Sequence, residues 1–118
     1  ADVLNAIGIA SLELREPGPN GTFGATEVPR QSPLIRQHFK GQLILNSDYD
    51  KARAQADLDS GLADAISFGR PFMANPDLVE RLRDDAPLNP PQPMPTWYGP
   101  GEAGYTDYPT LARTRAPA

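Results

Sequence analysis

Gln42-Leu43-Ile44-Leu45-Asn46 is a compact apolar run bounded by polar residues, long enough for a strand and too short for a helix. What flanks it sets the fold. Asn46-Ser47-Asp48 ends the run, Asp50 to Ser60 is rich in Ala, Gln, Lys and Arg, and Gly61 closes that stretch. The pattern predicts a helix with a small-residue packing face. A further strand follows over Ala63-Asp64-Ala65-Ile66-Ser67-Phe68 and stops at Gly69-Arg70. On the other side, Ser32-Pro33 reads as an N-cap with proline at the first helical position, opening a short helix through Leu34, Ile35 and Phe39 to Gly41.

Farther out, residues 16–31 hold Pro17, Gly18, Pro19, Asn20, Gly21, Gly24 and Pro29, a density of turn formers that predicts an extended loop. Ile9 to Arg15 alternates, with Ala10, Leu12 and Leu14 opposite Ser11, Glu13 and Arg15, as a strand with two unlike faces does. Val3, Leu4 and Ile7 share a helical face before Gly8, which reads as the end of a helix that starts earlier. Asn75-Pro76 repeats the cap-then-proline signature ahead of Leu78, Val79 and Leu82.

Strands separated by short helices imply right-handed crossovers and parallel pairing, an α/β fold. Parallel strands are covered on both faces, and three of them with short helices leave outer edges unpaired. The expectation is an incomplete fold.

Composition narrows the function. The chain has 118 residues, 11 Lys or Arg against 15 Asp or Glu, a formal charge of −4, so no basic nucleic-acid-binding face is expected. No run approaches the roughly 18 apolar residues of a membrane span, and the start lacks the order of a signal peptide. The expected protein is soluble and free of membrane. With no Cys there is no disulfide framework, thiolate metal site or thiol nucleophile, and the cytoplasm is the expected compartment. Proline is the outlier, 14 of 118, about 12% against a usual 5% or so. Eight prolines lie from Pro87 onward, so residues 1–86 read as the body and 87–118 as an extended, aromatic-bearing tail.

In a parallel arrangement Asn46-Ser47-Asp48 and Gly69-Arg70 both follow strand ends, at the edge where α/β proteins bind ligands. Exposed amides and an arginine fork favour a phosphate there. The alternative is that Arg70 forms a structural ion pair with Asp48, Asp64 or Asp77. Glu13 and Arg15 read as a compensating pair on the first strand, and Glu16, Asp84 and Asp85 as solvated charges. His38, the sole histidine, is either a base or a partner of its helix's C-terminal dipole. No second histidine or cysteine completes a metal site or a triad.

Ile66-Ser67-Phe68-Gly69-Arg70-Pro71-Phe72-Met73-Ala74-Asn75-Pro76-Asp77-Leu78, then Trp97-Tyr98-Gly99 and Glu102 to Pro109, together with Leu12 to Gly18, resemble the C-terminal part of the old yellow enzyme family. The resemblance runs over roughly residues 1–111 and is closest in type to bacterial alkene reductases. It implies a (β/α)8 TIM barrel holding FMN, of which this chain supplies about the last three βα units. An N-terminal portion on another chain would complete it. The activity implied is reduction of the C=C bond of an activated alkene with NADPH or NADH. The FMN phosphate would be held by Asn46, Ser47, Asp48, Gly69 and Arg70. Tyr98, with Trp97 beside it, would approach the flavin and substrate cavity, or both would plug the barrel mouth. Pro19 would border the substrate pocket. Two places depart from the family pattern: Ser47 and Asp48 stand where relatives often have small residues, and Gly99-Pro100-Gly101-Glu102 replaces a glycine-rich tail. The family's substrate-binding histidine or asparagine pair and its tyrosine proton donor precede the matching region, so no catalytic residue is assigned here. The competing reading is a non-catalytic α/β chain that docks on a partner through its proline-rich tail.

Overall fold

The computed structural model describes residues 1–21, 24 and 27–112; the last six residues of the tail lie outside them. Its elements are α1 (Asp2–Ile7), β1 (Ser11–Arg15), α2 (Ser32–His38), β2 (Gln42–Asn46), α3 (Lys51–Asp59), β3 (Ala65–Ile66), α4 (Arg70–Ala74) and α5 (Leu78–Arg83), with a 3-10 turn at Met94–Thr96. The chain divides into two compact units, Ala1–Phe68 and Gly69–Ala118. The compositional boundary at Pro87 falls inside the second. Among the described residues no helix is long and apolar enough to cross a membrane.

The first unit is built on a three-stranded parallel sheet in the order β1-β2-β3. Leu12 pairs with Leu43, Glu13 with Ile44 and Leu14 with Leu45, while Ile44 and Leu45 pair with Ala65 and Ile66. Partners in a parallel ladder point to the same side, so the register sorts the side chains into two faces. One carries Leu43 and Leu45, both buried, with Tyr49, Ala54 and Ala63 packed on them and Leu12, Leu14, Ile35, Leu62, Ile66 and Phe68 around the rim. Complete burial of each leucine is worth about 1.5–3 kcal/mol. The other carries Glu13, Ile44, Asn46 and Ala65, and on it Glu13 and Ala65 are exposed. The sheet is therefore covered on one face and open on the other within this chain, as the expectation of an incomplete fold requires.

The caps and lengths depart from the sequence in two places. β3 is only two residues, against the six expected; Asp64 N and Ser67 N still donate to Leu43 O and Leu45 O, at 2.8 and 2.9 Å, but the ladder has one neighbour and ends there. Ser32 does not cap α2. It is the first helical residue, its hydroxyl donates to Glu16, and the Glu16 carboxylate accepts the amides of Gln31 (2.7 Å) and Ser32 (3.1 Å). Glu16 is thus a buried external cap, 5% exposed, rather than a solvated charge. α3 forms where expected, with Gly61, at φ +74°, following its C-terminus; the structure adds an N-cap, Asp50, which accepts from Arg53 N at 2.8 Å.

In the second unit α4 is a helix the sequence reading missed. Gly69-Arg70 was expected to be a stop and Asn75-Pro76 a start; instead Gly69 precedes the first turn of α4, which contains Pro71, and Asn75 ends it. Asn75 is fully buried, its amide donating to Pro71 O (2.8 Å) and its oxygen accepting from Asn89 N (2.6 Å). The next helix begins after Asp77. The core of this unit combines Ala74, Leu78 and Tyr108 with a buried arginine, Arg81.

Candidate functional site

The turn after the central strand is the most unusual backbone in the first unit. Ser47 and Asp48 have φ of +100° and +53°, the left-handed region that glycine enters without cost and other residues seldom do. Two consecutive non-glycine residues there are retained only where surrounding contacts hold them. Arg53, one turn into α3, supplies such a contact: its Nη1 donates to Ser47 O at 2.8 Å and to Asp48 O at 3.4 Å, while its guanidinium lies 4.2 Å from the centre of the Tyr49 ring. The sequence gives no glycine signal for this turn.

Ser47 is 6% exposed, and its hydroxyl is the only buried side-chain polar atom without a hydrogen-bond partner among the described residues. A buried hydroxyl in that state costs free energy unless a ligand or water completes it. Asn46 is engaged sideways: Nδ2 donates to Ser67 O (3.1 Å) and Ser67 Oγ (2.8 Å), and Ser67 Oγ donates to Glu13 Oε1 (2.6 Å). A polar ladder therefore crosses the open face of the sheet. Asp48 turns its carboxylate toward the loop, where Oδ2 accepts from Asn20 N at 3.1 Å.

That loop is held at its other end by ionic contacts. Arg30 donates to Asp57 through both terminal nitrogens (3.3 and 2.7 Å), to Tyr49 Oη (2.9 Å) and to Glu16 Oε1 (3.3 Å), and the Tyr49 hydroxyl donates to Asp57 at 2.6 Å. Burial pushes the Glu16 and Asp57 carboxyls up, but the bonds from Ser32, Gln31 and Arg30 to the first, and from Arg30 and Tyr49 to the second, leave both below the usual range. Burial, with the bond to Asp57, raises the Tyr49 hydroxyl well above its ordinary value.

Two of the acids offered as ion-pair partners for Arg70 have other arginines. Asp64 pairs with Arg36 at 2.8 Å and Asp77 with Arg81 at 2.7 Å. Glu13 turns to Ser67. His38, the last residue of α2, has Nδ1 2.9 Å from Asp2 Oδ1, an exposed pair that ties α1 to α2.

In the second unit Gly69 and Arg70 are exposed at the start of α4, and a Cβ built on Gly69 would meet nothing within 4 Å. The backbone there is open to close approach by a ligand. Tyr98 is 90% exposed, whereas Trp97 is half-buried with its indole N–H on Gln92 O at 2.7 Å. Pro19 is exposed at the corner of a turn closed by Gly21 N on Gly18 O at 3.0 Å.

Parallel strands joined through helices, with polar turns at the strand ends, make the first unit a βα segment, and the turn at Ser47 lies at the edge where parallel α/β folds bind ligands. The sequence profile of the NADH:flavin oxidoreductase / NADH oxidase family matches residues 2–89, and the chain belongs to that family, the old yellow enzymes. It superposes on the old yellow enzyme homologue of Zymomonas mobilis with a TM-score of 0.86 and 53% identity, over 93% of this chain and 31% of that one. It is 39% identical over 111 residues to a 12-oxophytodienoate reductase-like protein of Solanum lycopersicum, covering 94% of this chain and 29% of the relative. It is 46% identical over 76 residues to a probable flavin mononucleotide-dependent alkene reductase of Leishmania infantum, covering 64% of this chain and 20% of the relative. The chain thus spans less than a third of the length of these proteins.

Proposed function

We propose that this chain is the C-terminal portion of an FMN-dependent ene-reductase that reduces activated C=C bonds, such as those of α,β-unsaturated carbonyl compounds, with NADPH or NADH. Residues 1–86 form about the last three βα units of a (β/α)8 barrel, whose other units lie outside these residues. The open face of the parallel sheet supports this reading, because such sheets are stable when both faces are covered. The cytoplasm is the proposed compartment.

The observation that carries the FMN assignment is the buried, unpartnered Ser47 hydroxyl in a left-handed turn at the end of the central strand. These features fit a phosphate: the hydroxyl donates one hydrogen bond, and backbone amides around Asn46, Ser47 and Asp48 donate others. In the second unit, Gly69 leaves the backbone open to close approach, and the Arg70 guanidinium is suited to take an anion with paired charged bonds. FMN, when bound, would supply the redox chemistry by which hydride passes from a nicotinamide to an activated alkene. Pro19 in the first unit and Tyr98 and Trp97 in the second are each proposed as substrate-facing positions. Their work is positioning, and no proton-transfer residue comes from this chain.

The test is spectroscopic. The assembled protein should show a flavin absorption band that NAD(P)H bleaches and an activated alkene such as a maleimide restores. A protein that assembles with its remaining strands but takes up no FMN would refute the assignment.

A further inference from the structure

Asp48 joins two parts of the first unit that carry different tasks in the reading above, on which this inference rests. Its backbone belongs to the Ser47-Asp48 turn, whose carbonyls Arg53 holds. Its side chain reaches the loop that follows β1. There it makes two contacts on either side of Pro19: Oδ2 accepts the amide of Asn20 at 3.1 Å, and Gly18 packs so closely that a Cβ on it would lie 2.5 Å from Asp48 Cβ and 2.6 Å from Oδ2. Gly18 is buried, and Gly21 N closes the turn on Gly18 O. Pro19 therefore stands at the corner of a tight turn whose two flanks rest on one carboxylate, with proline fixing φ at that corner.

We propose that Asp48 is a positioning residue for substrate: its carboxylate registers the Gly18–Gly21 turn, and with it the Pro19 wall of the substrate pocket, on the phosphate-side turn. A carboxylate beside an anion site would repel the anion if it faced it; engaged with the loop, it serves the neighbouring pocket. The arrangement also links the two sites, since anything that fixes the Ser47-Asp48 backbone fixes the turn that bears Pro19.

The test pairs hydrogen exchange with steady-state kinetics on the assembled protein. Asp48→Ala removes the acceptor, so exchange at the Asn20 amide should rise about tenfold or more, and the KM for the alkene should rise severalfold with a smaller change in kcat. Asp48→Asn keeps an acceptor oxygen and should restore most of the protection. Gly18→Ala should raise KM in the parent protein and less so in an Asp48→Gly background, where the atoms it strikes are gone. Unchanged exchange at Asn20 in Asp48→Ala, no recovery in Asp48→Asn, or equal effects of Gly18→Ala in both backgrounds would overturn the proposal. The exchange measurement needs no flavin, so a failure of FMN binding and a failure of the tether are read separately.

Discussion

The two units are held together by opposite means. The first, Ala1–Phe68, rests on a parallel ladder with Leu43 and Leu45 sealed beneath helices. The second is rich in proline, which has no amide hydrogen to give to a ladder, so its carbonyls are bound by side chains. Arg81, 2% exposed, donates to Pro87 O (2.6 Å), to Pro109 O (3.0 Å) and to Asp77 (2.7 Å). Asn89 donates to Ala74 O (2.9 Å) and Pro109 O (2.8 Å), and Asp77 accepts Leu111 N at 2.8 Å. Order in a proline-rich segment comes from buried polar side chains acting as donors, where a sheet would use its own backbone.

Substitutions that exchange the two means probe this contrast. The largest effect should come from Arg81→Met, which fills similar space but leaves the Pro87 carbonyl without this donor, the Pro109 carbonyl to Asn89 and Asp77 without its countercharge. We expect a loss of about 3–5 kcal/mol, with hydrogen exchange rising between residues 87 and 111 while β1 and β2 keep their protection. Equal loss in the sheet would show that the units do not differ in this way. Leu43→Ala should cost about 2–5 kcal/mol through the cavity it leaves, measured by denaturant unfolding, with the sheet amides exchanging first.

A smaller, pH-dependent effect belongs to Glu16, whose carboxyl lies below its ordinary value of 4.5 in the folded protein. A lowered folded-state pKa means that the ionised form stabilises the fold above the ordinary value, and that this contribution fades as pH falls through the folded value. Wild type should exceed Glu16→Gln by about 1.5–3 kcal/mol at neutral pH, and the gap should close below pH 4.5 or so. A gap that stays constant with pH would mean that the charge of Glu16 plays no part in capping α2.

The parts legible in the sequence were those with local causes. The apolar run of β2, the Ala-rich helix over 50–60 and the Gly61 that follows α3 lie within or beside the elements they define. The misreadings came from partners distant in sequence or from ambiguous punctuation. Glu16 is buried because Arg30, Gln31 and Ser32 return to it fourteen to sixteen residues later. Ser32 looked like a cap because its type and the following proline suit one, yet the cap comes from that distant carboxylate. α4 holds five residues with Gly before it and Pro in its first turn, which reads as a stop. Of the site, the strand-end position of Asn46, Ser47 and Asp48 was legible from the alternation of elements. Their left-handed backbone was not, since neither Ser47 nor Asp48 is glycine.

The central proposal is that strand-end residues of this chain, Arg70 among them, bind the phosphate of FMN. Its most direct measurement is the ratio of riboflavin to FMN dissociation constants in the assembled protein, wild type against Arg70→Ala. Riboflavin lacks only the phosphate, so the account predicts a high ratio in wild type that falls about tenfold or more in the variant, through weaker FMN binding with riboflavin little changed. An unchanged ratio would contradict it.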